Sequence, residues 1–97
     1  MVALAGESRH GYGIIQEVRR LSGGRTDLKA GTLYTLLDRL ESEGHVQVDR
    51  EEVVDGRLRR YYQLTKGGTA VLAEESRRRS ATSKVALHRL RAAGAIA

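Results

Sequence analysis

The feature that most constrains the fold is the segment GTLYTLLDRLESEG at residues 31–44. Its four leucines recur at i, i+3, i+4 and i+7, which places them on one face of a helix with about 3.6 residues per turn. These leucines are Leu33, Leu36, Leu37 and Leu40. Gly44 follows the last periodic residue and can take the left-handed conformation that ends helices. The pattern therefore predicts an amphipathic helix over residues 30–43.

The polar residues of this segment lie on the other side of the predicted helix. At about 100° per residue, the side chains opposite the leucines are Thr35, Asp38 and Ser42. Thr32 and Arg39 flank the leucine face on one side, and Tyr34 flanks it on the other. This mixture of hydroxyls, a phenol, an arginine and a carboxylate suits contact with a DNA groove. It also fits an ordinary surface helix, so both interpretations stay open at this point.

A second amphipathic pattern precedes this helix. Its apolar face consists of Ile14, Ile15, Val18 and Leu21. The sequence Ser-Gly-Gly at residues 22–24 ends it, and only residues 25–29 separate it from the next helix. Two short helices joined by a tight turn predict a helix-turn-helix unit. In such a unit the second helix enters the major groove and the first crosses the DNA backbone.

After Gly44 the hydrophobic period changes to two, which predicts a β-hairpin over about residues 46–64 with a turn at Asp55-Gly56. A two-residue loop pairs acidic residues of the first strand with arginines of the second. It also places Val46 and Val48 on the face opposite Tyr62 and Leu64. A three-residue loop at 54–56 restores one apolar face, as does a bulge lower in the hairpin. We expect burial to prevail, which favours the three-residue loop or the bulge.

The final segment predicts a long helix with Thr65 as its N-cap, running from about residue 66 into the low nineties. Residues 73–84 are polar and rich in alanine. Val71 and Leu72 can pack back on the domain, and Val85, Leu87 and Leu90 supply apolar surface near the end of the helix. Such a helix has little to bury against in its own chain, so packing against a second copy is its natural use. A frayed, solvent-exposed helix is the alternative.

Charge is divided unevenly along the chain. The formal net charge is +5 over 97 residues. Residues 1–64 carry ten basic and ten acidic side chains, whereas residues 65–97 carry seven basic and two acidic ones. A basic excess of this kind supports an anionic partner only weakly. A winged-helix domain used for protein interaction remains a competing hypothesis, favoured by the neutral charge of residues 1–64.

The residue inventory argues against an enzyme and predicts no cofactor. The chain has no cysteine and no Gly-rich phosphate loop with its lysine. His10, His45 and His88 are scattered and lack the spacing of a metal motif, so no metal site is predicted, although a metal-responsive sensor is a further hypothesis. No apolar run approaches the roughly 18 residues of a membrane span. Residues 1–11 lack the features of a signal peptide, which favours a cytoplasmic location.

Three segments in chain order, HGYGI, GTLYTLLDRLESEGHV and GRLRRYYQLTKGG, resemble the PadR family of bacterial winged-helix transcriptional regulators. The resemblance covers about residues 9–72. It implies an α+β, mostly helical fold: a winged helix-turn-helix DNA-binding domain at 1–64 and a C-terminal dimerisation helix at 65–97. It also implies a homodimer that binds a pseudo-palindromic operator in double-stranded DNA. Such regulators usually repress nearby genes and are sometimes released by a small-molecule effector.

The resemblance also implies roles for individual residues. The DNA-contacting residues that it implies at the start of the backbone-facing helix are His10 and Tyr12. Those on the recognition helix are Lys29, Thr32, Tyr34, Thr35 and Arg39, with Tyr34 as a phosphate contact. Those in the wing are Arg57 and Arg59. Three features depart from the family pattern. Thr35 replaces a proline, Gly13 replaces a glutamate, and the apolar first helix is reduced to residues 1–6. Dimerisation is expected through Leu72, Val85, Leu87 and Leu90.

Overall fold

The computed structural model describes residues 1–94, so the last three residues of the predicted C-terminal segment lie outside the described part of the chain. The helices are α1 (Gly11–Leu21), α2 (Ala30–Ser42) and α3 (Lys66–Ala92), and the strands are β1 (Arg9–His10), β2 (Val46–Val54) and β3 (Arg57–Leu64). A single 3-10 turn at Val2–Leu4 precedes them. The α+β winged helix-turn-helix fold predicted from the sequence is confirmed.

The core forms where the leucine face of α2 meets α1 and the sheet. Its buried residues are Ala3, Leu4, Ile14, Leu33, Leu37, Leu40, Val46 and Tyr62. Two residues predicted on the apolar helix faces are not buried: Leu21 is 48% exposed and Leu36 is 38% exposed. Both line an open groove between the 3-10 turn, α1, α2 and the start of α3, which we call the apolar groove. Their exposure follows because no part of residues 1–94 covers this groove.

Glycines end both helices of the helix-turn-helix unit at the predicted positions. Gly23 and Gly24 follow α1 with φ of 64° and 82°, and Gly44 follows α2 with φ of 79°. Residues with a Cβ rarely adopt this left-handed region, so glycine allows each helix to end sharply. The short connection that results packs α1 against α2.

The sheet is antiparallel, with strand order β1-β3-β2. The sequence analysis did not predict β1, because two residues are too few to show an alternating pattern. In the structure Arg9 pairs with Tyr62 and His10 pairs with Tyr61. The start of α1 is therefore joined directly to the central strand of the sheet.

The hairpin has a two-residue loop, so the predicted three-residue loop is wrong. Val54 pairs with Arg57 across Asp55 and Gly56, whose φ angles are 51° and 75°. Positive φ at both positions defines the turn type that matches the right-handed twist of a hairpin, and Asp-Gly favours it. The alternative of a bulge lower in the hairpin is confirmed, since Asp49 is an extra residue between the pairs Val48–Tyr62 and Arg50–Tyr61. The bulge returns Val46 and Val48 to the core face.

The start of α3 is held by Thr65, as predicted. The Thr65 hydroxyl accepts a hydrogen bond from the Gly68 backbone N–H at 3.0 Å and donates one to the Gly44 carbonyl at 2.5 Å. Its backbone N–H donates to the His45 carbonyl at 3.0 Å. From Ala73 onward every described residue of α3 is exposed, and the molecule reaches 59 Å in its longest dimension. Among residues 1–94, no helix is both long and apolar enough to cross a membrane.

The close approach of α3 to the chain at His45 yields a stability prediction. A Cβ added at Gly68 would lie 2.0 Å from the His45 carbonyl oxygen, whereas a Cβ added at Gly67 has no atom closer than 3.6 Å. We expect Gly68→Ala to lower the free energy of unfolding by about 1–3 kcal/mol or more, as overpacking against backbone does. Gly67→Ala is the matched control, and it should be neutral or stabilising by up to about 1 kcal/mol through helix propensity. Urea unfolding at one protein concentration measures both; equal effects would contradict this account.

Candidate nucleic-acid interface

The outer face of α2 carries the polar side chains predicted from the sequence. Thr32, Thr35, Asp38 and Arg39 are all exposed. The Thr35 hydroxyl donates to the Gly31 carbonyl at 3.0 Å, which leaves its oxygen available as an acceptor. Arg39 forms an ion pair with Glu43 at 3.3 Å, and both side chains are substantially exposed. Lys29 lies just outside the helix, at its N-cap position.

Tyr34 reaches from α2 to the first residue of α1. A Cβ added at Gly11 would lie 2.6 Å from the Tyr34 hydroxyl and 3.1 Å from its ring. A Cβ at this position would require the phenol to shift, so glycine allows Tyr34 its position over the start of α1. Tyr34 is nevertheless 49% exposed, so its hydroxyl lies at the surface where the two helices meet.

The first two helices begin without a side-chain cap. No side-chain hydrogen bond caps the start of α1 at His10 or the start of α2 at Lys29, whereas Thr65 caps α3. The first N–H groups of an uncapped helix have no partner within the helix, and they lie at the positive end of its dipole. Such helix starts are suited to binding an anion. Tyr12, in the first turn of α1, is 65% exposed beside these groups.

His10 lies in an aromatic and cationic cluster at the junction of α1 and the sheet. Its ring packs edge-on against Tyr61 with 5.2 Å between the centroids. The Arg50 guanidinium lies 4.0 Å from the Tyr61 ring centroid, which is cation–π geometry. Burial lowers the pKa of His10, and the charge of Arg59 lowers it further. His10 is therefore predominantly neutral near pH 7.

The wing presents two chemically different faces. Alternation along β3 places Arg57, Arg59 and Tyr61 on one face and Leu58, Arg60 and Tyr62 on the other. Arg60 forms an ion pair with Glu51 at 3.0 Å. Within residues 1–94, Arg57 and Arg59 form no ion pair. These two arginines share their face with His10, which pairs with Tyr61.

The structure thus brings only part of the predicted set together. His10 and Arg59 are close enough to interact electrostatically, and Tyr34 lies over the start of α1. Sequence reasoning missed Arg50 and Tyr61. The two-residue turn at Asp55-Gly56 pairs them across the hairpin, so this pairing follows from the sequence only once the turn is placed correctly.

The residues expected to mediate dimerisation differ in their surroundings. Leu72 is half-buried and lines the apolar groove, which has a volume of about 470 Å³. Val85, Leu87 and Leu90 are 50%, 44% and 44% exposed. They lie in the exposed part of α3, beyond the body of the domain.

Metal binding finds no support in the described residues. Across residues 1–94, no three His, Cys, Asp or Glu side chains are grouped so that they could hold an ion.

Comparison with known proteins places this geometry in a family. The model of the transcriptional regulator PadR-like family matches residues 1–74. The chain belongs to the PadR-like family. The match includes the helix-turn-helix unit, the wing and the first turns of α3, which are the elements that carry the surfaces described above.

Individual PadR-like relatives agree with this assignment. The transcriptional regulator Rv3488 from Mycobacterium tuberculosis is 46% identical over 68 residues, which is 70% of this chain and 60% of that protein. A PadR family transcription regulator from Clostridium difficile is 29% identical, with a TM-score of 0.74 over 92% of this chain and 91% of that chain. The structure of Bacillus subtilis PadR in complex with operator DNA is 24% identical, with a TM-score of 0.63 over 73% of this chain and 40% of that chain. The chain spans about six-tenths of the length of the curated relatives that it matches.

The His10 cluster of this PadR-like chain yields a titration prediction. Because Arg59 lowers the pKa of His10, Arg59→Gln should raise that pKa while leaving it below its ordinary value of 6.5, since burial remains. Arg57→Gln is the matched control, because Arg57 lies on the same wing face but nearer the tip. It should change the pKa of His10 less. NMR titration of the His10 ring measures both.

The lowered pKa of His10 also predicts how the free energy of unfolding changes with pH. Above pH 6.5 the histidine is neutral in both the folded and unfolded states. As the pH falls below that value the unfolded chain binds the proton first, so stability falls until the lowered pKa is passed. An unchanged His10 pKa in Arg59→Gln would show that Arg59 does not act on His10.

Proposed function

We propose that this chain is a sequence-specific DNA-binding transcriptional regulator, acting as a repressor and as a homodimer on a pseudo-palindromic operator. The observation that carries the proposal is the placement of Arg57 and Arg59. Both lack an ion pair within the described residues, and both share a face with His10 at the uncapped start of α1. Unpaired cations beside free helix N–H groups form a surface complementary to DNA phosphates. The operator complex of Bacillus subtilis PadR supports the proposal by its related fold.

In this proposal α2 supplies base readout. Thr32, Thr35 and Arg39 lie on its exposed side, where hydroxyl and guanidinium groups can contact base edges in the major groove. The Arg39–Glu43 pair is exposed and therefore weak, so Arg39 can exchange its carboxylate partner for a base.

Phosphate contacts would come from the margins of this surface. Lys29 and the Tyr34 hydroxyl lie at the starts of α2 and α1, with His10 and Tyr12 beside the latter. Arg57 and Arg59 would contact the backbone or minor groove through the wing.

The readout role of α2 is tested by Thr32→Ala and Arg39→Ala. Each substitution should weaken binding to the operator by about 1–3 kcal/mol and relax specificity, with a smaller effect on an unrelated duplex. Arg60→Ala is the matched control, because Arg60 is an exposed arginine paired with Glu51 on the wing face opposite Arg57 and Arg59. Fluorescence anisotropy on an operator selected from random duplexes measures the affinities. Unchanged operator affinity in both variants would remove α2 as the recognition helix.

The wing arginines have a matched control on the opposite face of the same strand. Arg57→Ala and Arg59→Ala should each reduce the slope of log K against log salt by about 1, because each removes one phosphate contact. Arg60→Ala removes the same charge from the face paired with Glu51 and should leave the slope nearly unchanged. If all three variants behave alike, net charge alone determines the affinity and the wing face has no special role.

The homodimer would form through α3 and the apolar groove. The groove exposes apolar side chains of α1 and α2, including Leu21 and Leu36, and the distal part of α3 exposes Leu87 and Leu90. Leu72 and Leu90 lie on the same side of the helix, since eighteen residues make five turns. Burying the Leu87–Leu90 segment of one copy against the groove of the other would cover both surfaces. Val85 lies about 140° around the helix from Leu90, so it would contribute from the side.

Sedimentation equilibrium tests this dimer. The double variant Leu87→Ala and Leu90→Ala should shift the wild-type dimer towards monomer. Each truncation removes buried apolar surface that contributes at most about 2–3 kcal/mol per copy to the free energy of dimerisation. Val85→Ala is the comparison within the same helix and should have the smaller effect. A wild-type chain that is monomeric at all concentrations would contradict the dimer without contradicting DNA binding.

A winged-helix protein-interaction module is the second candidate, favoured by the neutral net charge of residues 1–64. Salt separates the two functions, because the affinity of a DNA-binding surface falls steeply as salt rises.

A small-molecule effector would find its most apolar site in the apolar groove, where aliphatic side chains predominate.

A further inference from the structure

The distal part of α3 carries a cluster of positive charges that lies outside the proposed operator-binding surface. Residues 76–94 contain six lysines and arginines and no acidic residue. Residues 1–64, which carry the helix-turn-helix unit and the wing, are neutral overall. The whole formal net charge of +5 therefore resides in the C-terminal segment.

The cations of α3 lie mainly on one half of the helix. At about 100° per residue, five of the six cations among residues 76–94 lie in the half opposite Leu72 and Leu90: Arg77, Arg78, Lys84, Arg89 and Arg91. We call this half the basic face. Three of its members recur every seven residues, about 10.5 Å apart along the axis, and form a row about 21 Å long. Arg79 lies on the other side and lines the apolar groove.

The basic face points away from the recognition surface. Leu72 lines the groove together with Leu37 and Leu40, which lie on the core side of α2. The exposed residues Thr35 and Asp38 lie on the opposite side of α2. The half of α3 opposite Leu72 is therefore directed away from both the body and the outer face of α2.

Few carboxylates neutralise this face. Glu74 pairs with Arg77 at 2.9 Å and with Arg78 at 3.6 Å, so one carboxylate is shared by two arginines. Farther along the helix, Lys84 and Arg89 form no ion pair within residues 1–94. All of these side chains are exposed, so they are available to an external polyanion.

The chemistry of the basic face favours duplex DNA. α3 has no Phe, Tyr or Trp, and His88 is its only ring side chain, so it lacks the row of aromatic platforms on which single-strand binders stack unpaired bases. Over residues 76–94 the basic face has no large apolar side chain apart from Val85, whereas the centres of protein–protein interfaces are rich in such residues. The opposite side is interrupted by Ser76, Arg79 and Ser83, unlike the continuous apolar face of a membrane-surface helix. A regular row of cations without apolar anchors matches a phosphate backbone.

We propose that the basic face of α3 is a second DNA-binding surface, which contacts the phosphates of duplex DNA without regard to sequence. This surface does not depend on the proposed operator recognition. Together with that recognition, it allows one molecule to hold two DNA segments on opposite sides.

The surface is tested by a triple substitution on the seven-residue row, Arg77→Gln, Lys84→Gln and Arg91→Gln. Binding to a short duplex of unrelated sequence is measured over a range of salt. The slope of log K against log salt should fall by up to about 2.7, which is about 0.9 for each phosphate contact removed. The ratio of operator affinity to unrelated-duplex affinity should rise or stay the same, because α2 is intact.

Two control variants separate position from net charge. Arg77→Lys, Lys84→Arg and Arg91→Lys together keep the charge and should keep the wild-type slope. Arg19→Gln, Arg20→Gln and Arg25→Gln together lose the same charge from exposed positions at the end of α1 and should change the slope less. Circular dichroism confirms that α3 stays helical. A slope unchanged in the glutamine triple, or lowered equally by the α1 triple, would overturn the proposal.

Simultaneous binding of two duplexes is tested by capture. With one duplex tethered to beads and a labelled duplex free in solution, the wild type should retain the label and the α3 glutamine triple should not. Retention by that triple at the wild-type level, or none by the wild type, would overturn this second role. A failure of the operator-recognition proposal would appear in a different experiment, because Thr32→Ala and Arg39→Ala would then leave the operator affinity unchanged.

Discussion

One extra residue in β2 determines how the sheet closes the core. Because Asp49 is unpaired with β3, the valines at the base of β2 share the core face with Tyr62. The two-residue turn and the regular alternation of β3 fix which face each wing arginine occupies. Arg60 falls on the core-side face and pairs with Glu51, whereas Arg57 and Arg59 fall on the face of His10. A regular hairpin with the same two-residue loop would expose the base of the hairpin core, so the core depends on the bulge and the wing face depends on the turn.

Two close approaches by glycine then join the helices to this sheet. At Gly68 the first turn of α3 lies against the His45 carbonyl, and at Gly11 the start of α1 lies under the Tyr34 phenol. The first contact directs α3 away from the outer face of α2. The second links the two helices of the helix-turn-helix unit where the first begins. The Gly68 contact is with backbone and leaves no room for a Cβ, whereas the Gly11 contact is with the end of the Tyr34 side chain.

Much of the fold could be predicted from the sequence, because its signals are local. Leucine periodicity, the glycines after each helix and the Thr65 cap determine α1, α2 and the start of α3. The hairpin loop was predicted wrongly, since apolar alternation was weighed above the preference of Asp55-Gly56 for a two-residue turn. The exposure of Leu36 was missed because periodicity shows a face but not what covers it. The contacts of Gly11 with Tyr34 and of His10 with Tyr61 join distant segments, so no local pattern indicates them.

We propose above all that the outer face of α2, the start of α1 and the His10 face of the wing form a single DNA-binding surface. NMR chemical-shift mapping of backbone amides with a selected operator duplex tests it most directly. We expect the largest changes at residues 29–39, 10–13 and 57–59, with small changes along the residues that line the apolar groove. Changes confined to that groove, with α2 and the wing unaffected, would contradict the account.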